Sequence, residues 1–210
     1  MTGKIKLVHS GGNSVSLAVP TSNPSSSEVE FKLPQADGSA NEVLKTDGSG
    51  NLSFAADSGG KIASYAIICD EKSSLTSAGT FTSGDWRTRD LNTEITDADG
   101  IVSISSNQFT LQAGTYLIKA SAPAYYVYDH MIKLYNVTAS ADIAFGTSEY
   151  TGHASGVQTR SFLVARITIS AATTFEIRHK CINTKTNNGF GEATGLGVEK
   201  YLIVEIYKES

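Results

Sequence analysis

The residues able to carry chemistry are few and widely spaced. Four histidines stand at His9, His130, His153 and His179. No two share the i+2 or i+4 spacing that puts paired metal ligands on one face of a strand or helix. Asp129-His130 is an adjacent acid–base dyad, but no Gly-x-Ser-x-Gly or comparable nucleophile element accompanies it. Two isolated cysteines, Cys69 and Cys181, make no zinc site. Both sit in apolar runs, so buried reduced thiols are expected, with a disulfide between them as the alternative. Asp97-Ala98-Asp99-Gly100 opens like a calcium loop but lacks the later acidic ligands and the closing Glu; a solvated turn is expected. No glycine-rich phosphate loop and no recognisable catalytic carboxylate pair is present. The chain reads as non-enzymatic, with no cofactor and no metal.

Binding chemistry is better represented. Tyr125, Tyr126 and Tyr128 crowd one short segment just before His130, and the single tryptophan, Trp86, lies within Asp85-Trp86-Arg87-Thr88-Arg89-Asp90. Aromatic side chains offer large contact area with a polar handle. These five residues are the candidates for a subunit interface or a receptor contact. Three readings of the tyrosines stay open: packing between subunits, plain alternation between core and surface, and a ligand platform. Trp86 reads either as the centre of a cation–π and salt-bridge cluster pinning its loop, or as a surface hot spot.

Composition sets the frame for these side chains. Hydrophobic residues make up 40% of the 210 and charged residues only 18%, so a packed core is expected rather than disorder. The apolar residues are mostly Val, Ile, Tyr and Phe, which fit a pleated sheet, while Ser, Thr, Asn and Gly supply turns. No stretch has capped helical periodicity, and the fold class is read as all-β. A net charge of −4 leaves no basic stripe for a phosphate backbone, so nucleic acid is not an expected partner. Met1 to Lys6 has no apolar h-region, so no secretory signal is expected there. The longest apolar run, Ala66 to Cys69, is too short to span a bilayer, and membrane insertion is not expected.

Residues 1–60 differ in texture from the rest. Short period-two runs appear at Ile5/Leu7, at Val15/Leu17/Val19 and at Val29/Phe31/Leu33, each predicting a strand with one wet face. Ser10-Gly11-Gly12-Asn13 predicts a hairpin turn, and the two-proline stretch from Pro20 to Ser27 an open loop. Asp47, Gly48, Gly50 and Asn51 can adopt positive φ, so Val43–Lys45 and Leu52–Phe54 should pair as a hairpin. Such short strands cannot enclose a core alone. This segment therefore needs partners.

The string Val43-Leu44-Lys45-Thr46-Asp47-Gly48-Ser49-Gly50-Asn51-Leu52-Ser53-Phe54 resembles the VLxTDGxGNLxW/F element of phage tail-fibre and related virion proteins. Phe31-Lys32-Leu33-Pro34-Gln35-Ala36-Asp37-Gly38 resembles the LP…ADG lead-in of the same proteins. Phe54 replaces the more usual Trp and keeps the aromatic. The resemblance implies a virion-attachment stem over residues 1–60, docking on other virion proteins, and a location on the particle surface.

Ala55 to Gly60 reads as a linker, followed by a head over residues 61–210. Its candidate strands are Ile62–Cys69, Arg87–Leu91, Ile101–Ile104, Gln108–Leu111, Tyr116–Ala122, His130–Asn136, Asp142–Phe145, Arg160–Ile169, Phe175–Lys180 and Lys200–Tyr207. Phe175 and Ile177 alternate with Glu176, Arg178 and Lys180, predicting one solvent face. Ser161–Ala165 and Tyr201–Val204 are apolar on both faces. They should lie centrally in the sandwich or against another subunit.

Gln108-Phe109-Thr110-Leu111-Gln112-Ala113-Gly114-Thr115-Tyr116-Leu117-Ile118 is similar to the FTxxxxGxYxF strand-turn-strand of complement-C1q/TNF-like domains. An aromatic-rich closing strand of that family is absent. The resemblance implies a jelly-roll sandwich that assembles as a homotrimer. Together the two resemblances imply a homotrimeric fibre or knob-like virion appendage that contacts the host surface. A dedicated tip binding host glycan or protein is the alternative, and a fibre-embedded polysaccharide depolymerase stands last.

Overall fold

Alternation of apolar and polar residues governs both parts of the molecule. The computed structural model describes residues 4–18, 22, 24, 28–57, 62–152 and 156–210. The chain divides into two compact units, Met1–Asp57 and Ser58–Ser210. Among the described residues every regular element is a strand.

The first unit holds two hairpins, β1 (Lys4–Val8) with β2 (Ser14–Ala18), and β3 (Glu42–Thr46) with β4 (Leu52–Ala56). His9–Asn13 closes the first, with Gly12 at φ 92°. Asp47 organises the second. One of its carboxylate oxygens accepts from the Ser49 and Asn51 amides, the other from the Asn51 side chain, and Gly48 and Gly50 take positive φ. These bonds favour the ionised carboxylate and hold Asp47 below its ordinary pKa. Gly50 also lets the segment before it come close, since a Cβ there would sit 2.6 Å from the Glu30 carbonyl. Gly38 packs under the Phe54 ring in the same way, which ties the Phe31–Gly38 and Val43–Phe54 strings together physically.

The third alternating run does not become a strand. Lys32 makes one parallel bridge to Asn51, and Val29, Phe31 and Leu33 remain exposed. Val19 lies outside the described residues.

The second unit is a sandwich. Its strands are β5 (Ile62–Lys72), β6 (Arg87–Thr88), β7 (Thr93–Thr96), β8 (Val102–Ser105), β9 (Gln108–Leu111), β10 (Gly114–Tyr125), β11 (Tyr128–Asn136), β12 (Ala141–Phe145), β13 (Glu149–Thr151), β14 (Gln158–Ile169), β15 (Thr173–Cys181) and β16 (Glu199–Glu209). One sheet has the order β14-β10-β16-β5-β7. The other runs β12-β11-β15-β9-β8, with β13 on β11 and β6 on β15. From β9 onward the chain passes repeatedly from sheet to sheet. The resulting antiparallel order, β5-β16-β10-β14 over β9-β15-β11-β12, is that of a jelly roll. The all-β jelly-roll reading of the head therefore holds.

One core joins the sheets. Ile68, Tyr116, Ile118, Leu163, Val204 and Ile206 from the first meet Phe109, Leu111, Ile132, Leu134, Phe175 and Ile177 from the second. The burial pattern along β15 shows why: Phe175, Ile177, His179 and Cys181 face inward at every second position. Its outer face differs from expectation. Glu176 is buried rather than solvated, because Gln108 donates to it at 3.1 Å and Arg178 pairs with it. Arg178 in turn lies 3.4 Å from the Tyr135 ring centroid. Long polar side chains here cover one another.

The two doubly apolar segments part ways. In β16, a central strand, Tyr201, Leu202 and Val204 are all buried, with a register shift between Lys200 and Ile203. In β14, at a sheet edge, Phe162 and Val164 stay 53% and 64% exposed. The short strands β7 and β13 were not foreseen, being polar in sequence and only a few residues long. Phe109 stacks on Phe175 with ring centroids 5.7 Å apart at the middle of the core. Phe109→Ala should lower unfolding free energy by about 3–5 kcal/mol in urea titration; a loss below about 1 kcal/mol would contradict this packing.

Candidate functional site

Two left-handed tyrosines shape one end of the sandwich. Tyr126 and Tyr128 have φ of 61° and 62°, a costly conformation for bulky side chains. Val127 between them is fully buried with Phe81, Ala124 and Cys181. Its amide donates to Thr151 Oγ1 at 2.7 Å, and its carbonyl accepts from the Asn183 amide at 3.0 Å. Anchoring Val127 inward turns its neighbours outward. Tyr125 and Tyr126 sit 6.0 Å apart with Lys185 Nζ 5.1 Å from the Tyr126 centroid, and Tyr128 faces the exposed Tyr150 at 6.0 Å. The tyrosines form a partly exposed cap on this end.

Beside this turn, the outer face of the second sheet holds a groove of about 340 Å³. Strand pairing sets its floor: Met131 lies opposite Lys180 and His130 opposite Cys181, while β13 brings Glu149 against His130 from the other side. Trp86, Asp129, Ser148 and Ile182 also line it. The indole is held firmly. Lys133 Nζ stands 4.3 Å from its ring centroid and Phe145 6.0 Å away, and Asp142 pairs with the same ammonium. The cation–π contact on Trp86 thus exists, but its cation comes from β11 rather than from the flanking arginines. Arg87 Nε donates to the Thr82 carbonyl, and Arg89 turns into the core.

Under the groove lies a buried polar network that local sequence did not reveal. Arg89 is 1% exposed, with Nη1 donating to the Phe190 and Pro123 carbonyls at 2.9 and 3.3 Å and its guanidinium 4.3 Å from the Phe190 ring centroid. Burial lowers its pKa to about 10, so it stays charged at neutral pH. Asp70 is equally buried, 3.2 Å from Lys72 Nζ; burial raises its pKa against the pull of Lys72 and Arg89. His130 is turned inward. Its Nδ1 lies 2.9 Å from His179 Nε2 and its Nε2 2.8 Å from Thr159 Oγ1. Desolvation, then the Arg89 charge, depresses His130 to about 4 and His179 well below its ordinary value. Both imidazoles are therefore neutral at pH 7.

Of the five aromatic and histidine candidates, the structure places Tyr125, Tyr126 and Tyr128 on the cap, Trp86 and His130 along the groove. The remaining singled-out residues have local roles. Both Asp97 carboxylate oxygens are taken by the Ile101 and Val102 amides at 2.8 and 2.9 Å. His9 Nδ1 accepts from the Gly11 amide, and His153 lies outside the described residues. Cys69 and Cys181 are free and buried, and burial pushes the Cys181 thiol up to about 12. No cluster of three or more metal-ligating side chains occurs among the described residues.

The first sheet presents a different outer face. Strand pairing aligns Phe162, Ser121 and Ile203 in one row and Val164, Lys119 and Glu205 in the next, around a shallow groove of about 160 Å³. A third row brings Leu117 and Tyr207 to Tyr65, which is 52% exposed.

No protein-family model and no curated protein matches the chain. Among solved structures it is similar to the globular domain of zebrafish complement 1qA protein, with 12% identity, a TM-score of 0.45, and coverage of 69% of this chain and 95% of that one. It is also similar to murine APRIL at pH 5.0, with 6% identity, a TM-score of 0.46, and coverage of 69% and 98%. The jelly-roll order itself is read from the strand pairing.

The histidine pair gives a pH dependence of known sign. The fold prefers both rings neutral, whereas the unfolded chain takes up protons near 6.5. The contribution is fully present above about pH 6.5 and is lost as pH falls toward about 4. Melting temperature should therefore drop between pH 7 and 5, and His130→Gln should flatten that slope. An unchanged slope in the variant would exclude the pair as its source.

Proposed function

We propose that this chain is a homotrimeric structural appendage of a bacteriophage virion. The N-terminal unit anchors it to other virion proteins, and the jelly roll is its surface-exposed head. The carrying observation is the apolar outer face of the first sheet. Phe162 and Val164 project from edge strand β14, and Leu117, Ile203, Tyr207 and Tyr65 extend the same surface across the sheet. A large apolar patch of this kind marks an association surface. It lies along one side of the sandwich and ends at an edge strand. A heterologous contact between such an edge and the neighbouring copy's face closes into a ring when each step turns by a third of a circle.

The N-terminal unit supports the same reading. Ile5, Leu7, Val8, Phe31, Leu33 and Leu44 are at least half exposed, and two hairpins cannot bury them. Sister chains or a virion partner would supply the missing surface. The virion assignment itself rests on the Phe31–Gly38 and Val43–Phe54 strings. Both describe one physical unit, since Gly38 packs on Phe54.

Light scattering should give a mass near three times 22.2 kDa at micromolar concentration. The double variant Phe162→Asp, Val164→Asp should shift it to the monomer with an unchanged far-UV spectrum. A monomeric parent protein would overturn the trimer, and absence of the chain from purified particles by mass spectrometry would overturn the virion role.

A further inference from the structure

We infer that the groove between Trp86 and Glu149 binds a neutral sugar unit. The argument starts from what lines it. Trp86, Met131 and Ile182 supply apolar surface, while Asp129, Ser148, Glu149 and Lys180 supply hydrogen-bonding groups of both signs. A pyranose presents one apolar C–H face and a ring of hydroxyls at its edge. Each hydroxyl can donate to a carboxylate and accept from an ammonium. A lining that mixes apolar surface with hydrogen-bonding groups of both signs suits such a ligand. An anionic ligand would meet two carboxylates against a single ammonium.

The groove is also prepared for a ligand. Its volume, about 340 Å³, lies in the lower part of the range for small-molecule sites, roughly 300–1,000 Å³. Trp86 is fixed by Lys133 and Phe145, so little rotamer freedom is lost when a ring stacks on it. The floor belongs to paired strands whose inner side is locked by the His130–His179 bond. The Asp129 carboxylate and the Lys180 ammonium have no partner among the described residues, whereas Glu149 already accepts from Thr147 Oγ1 at 2.8 Å. Both residues line the groove. They remain available to a ligand.

The inference rests on the virion-head reading only for the source of the sugar, a host surface polymer. Sugar binding by the purified chain is independent of it. Trp86 is the only tryptophan, so its fluorescence reports on this groove alone. Glucose, galactose, mannose and N-acetylglucosamine would be titrated into the full chain, with glucuronic acid and glucosamine as charged probes. At least one neutral sugar should shift the emission saturably, with half-saturation on the order of millimolar. Asp129→Asn should weaken that binding at least about tenfold, a loss expected when a charged hydrogen bond is removed, while leaving the emission of the free protein unchanged. A response only to a charged probe would overturn the neutral class. No response from any sugar up to about 100 times the expected half-saturation would overturn the site. Mass measured on the same samples separates the two readings: a trimer that ignores sugars loses this inference alone, and a monomer that binds them loses only the assembly.

Discussion

The register of β11 on β15 is the constraint on which the rest of the head depends. Side chains along a strand alternate between faces, so a slip of one residue would exchange them all. Here the exchange would drive Met131, Lys133 and Lys180 toward the core and expel His130, Ile132, His179 and Cys181. A one-residue slip would break the buried hydrogen bond between His130 and His179, which together with Thr159 occupies both His130 ring nitrogens, while His179 Nδ1 has no partner among the described residues. An unpaired buried imidazole would cost about 1–3 kcal/mol. A polar pair deep in the sandwich thus adds specificity where apolar packing alone would tolerate alternatives. The same register lays Met131 beside Lys180 outside, which is the floor of the groove.

The two outer faces of the sandwich have been finished differently. On the second sheet, Glu176 with Arg178, Lys133 with Asp142, and the rings of Trp86 and Tyr135 cover one another. Individual exposed ion pairs are worth little, but interleaved with aromatic rings they leave a surface that is complete in water. Among the described residues the first sheet sets Lys119, Ser121, Arg160, Arg166 and Glu205 around Phe162, Val164, Leu117 and Tyr65, and Phe162, Val164 and Tyr65 still stay more than half exposed. The two faces of one chain therefore differ in how far their apolar side chains are covered.

What could be read from the residues was mostly periodic. Gln108–Leu111 and the Val43–Phe54 hairpin follow from alternation and turn chemistry, and both appear with nearly the expected bounds. The doubly apolar character of Ser161–Ala165 was visible too, and only its outcome, an exposed edge, needed the fold. Glu176 was misjudged because its cover comes from Gln108, far away in the chain. Arg89 was legible only as part of the charged string around Trp86, and its burial depends on Phe190 and Pro123. The groove was legible only as separate residues. Trp86, Asp129, Glu149 and Lys180 come from four segments that no local pattern connects.

The tyrosine turn joins these features. Holding Tyr126 and Tyr128 in the left-handed region costs of order 1–3 kcal/mol each, and both cannot be relieved without moving Val127. Val127 is anchored by burial, by Thr151 on β13 and by Asn183 beyond β15. Those are the two segments that flank the groove, carrying Glu149 on one side and Ile182 on the other. Asp129 follows Tyr128 directly, and its carbonyl accepts from the Ile182 amide at 3.1 Å. The turn and the first residues of β11 are thus held by the same backbone and side-chain anchors. The backbone strain at Tyr126 and Tyr128 is held by the same segments that line the groove.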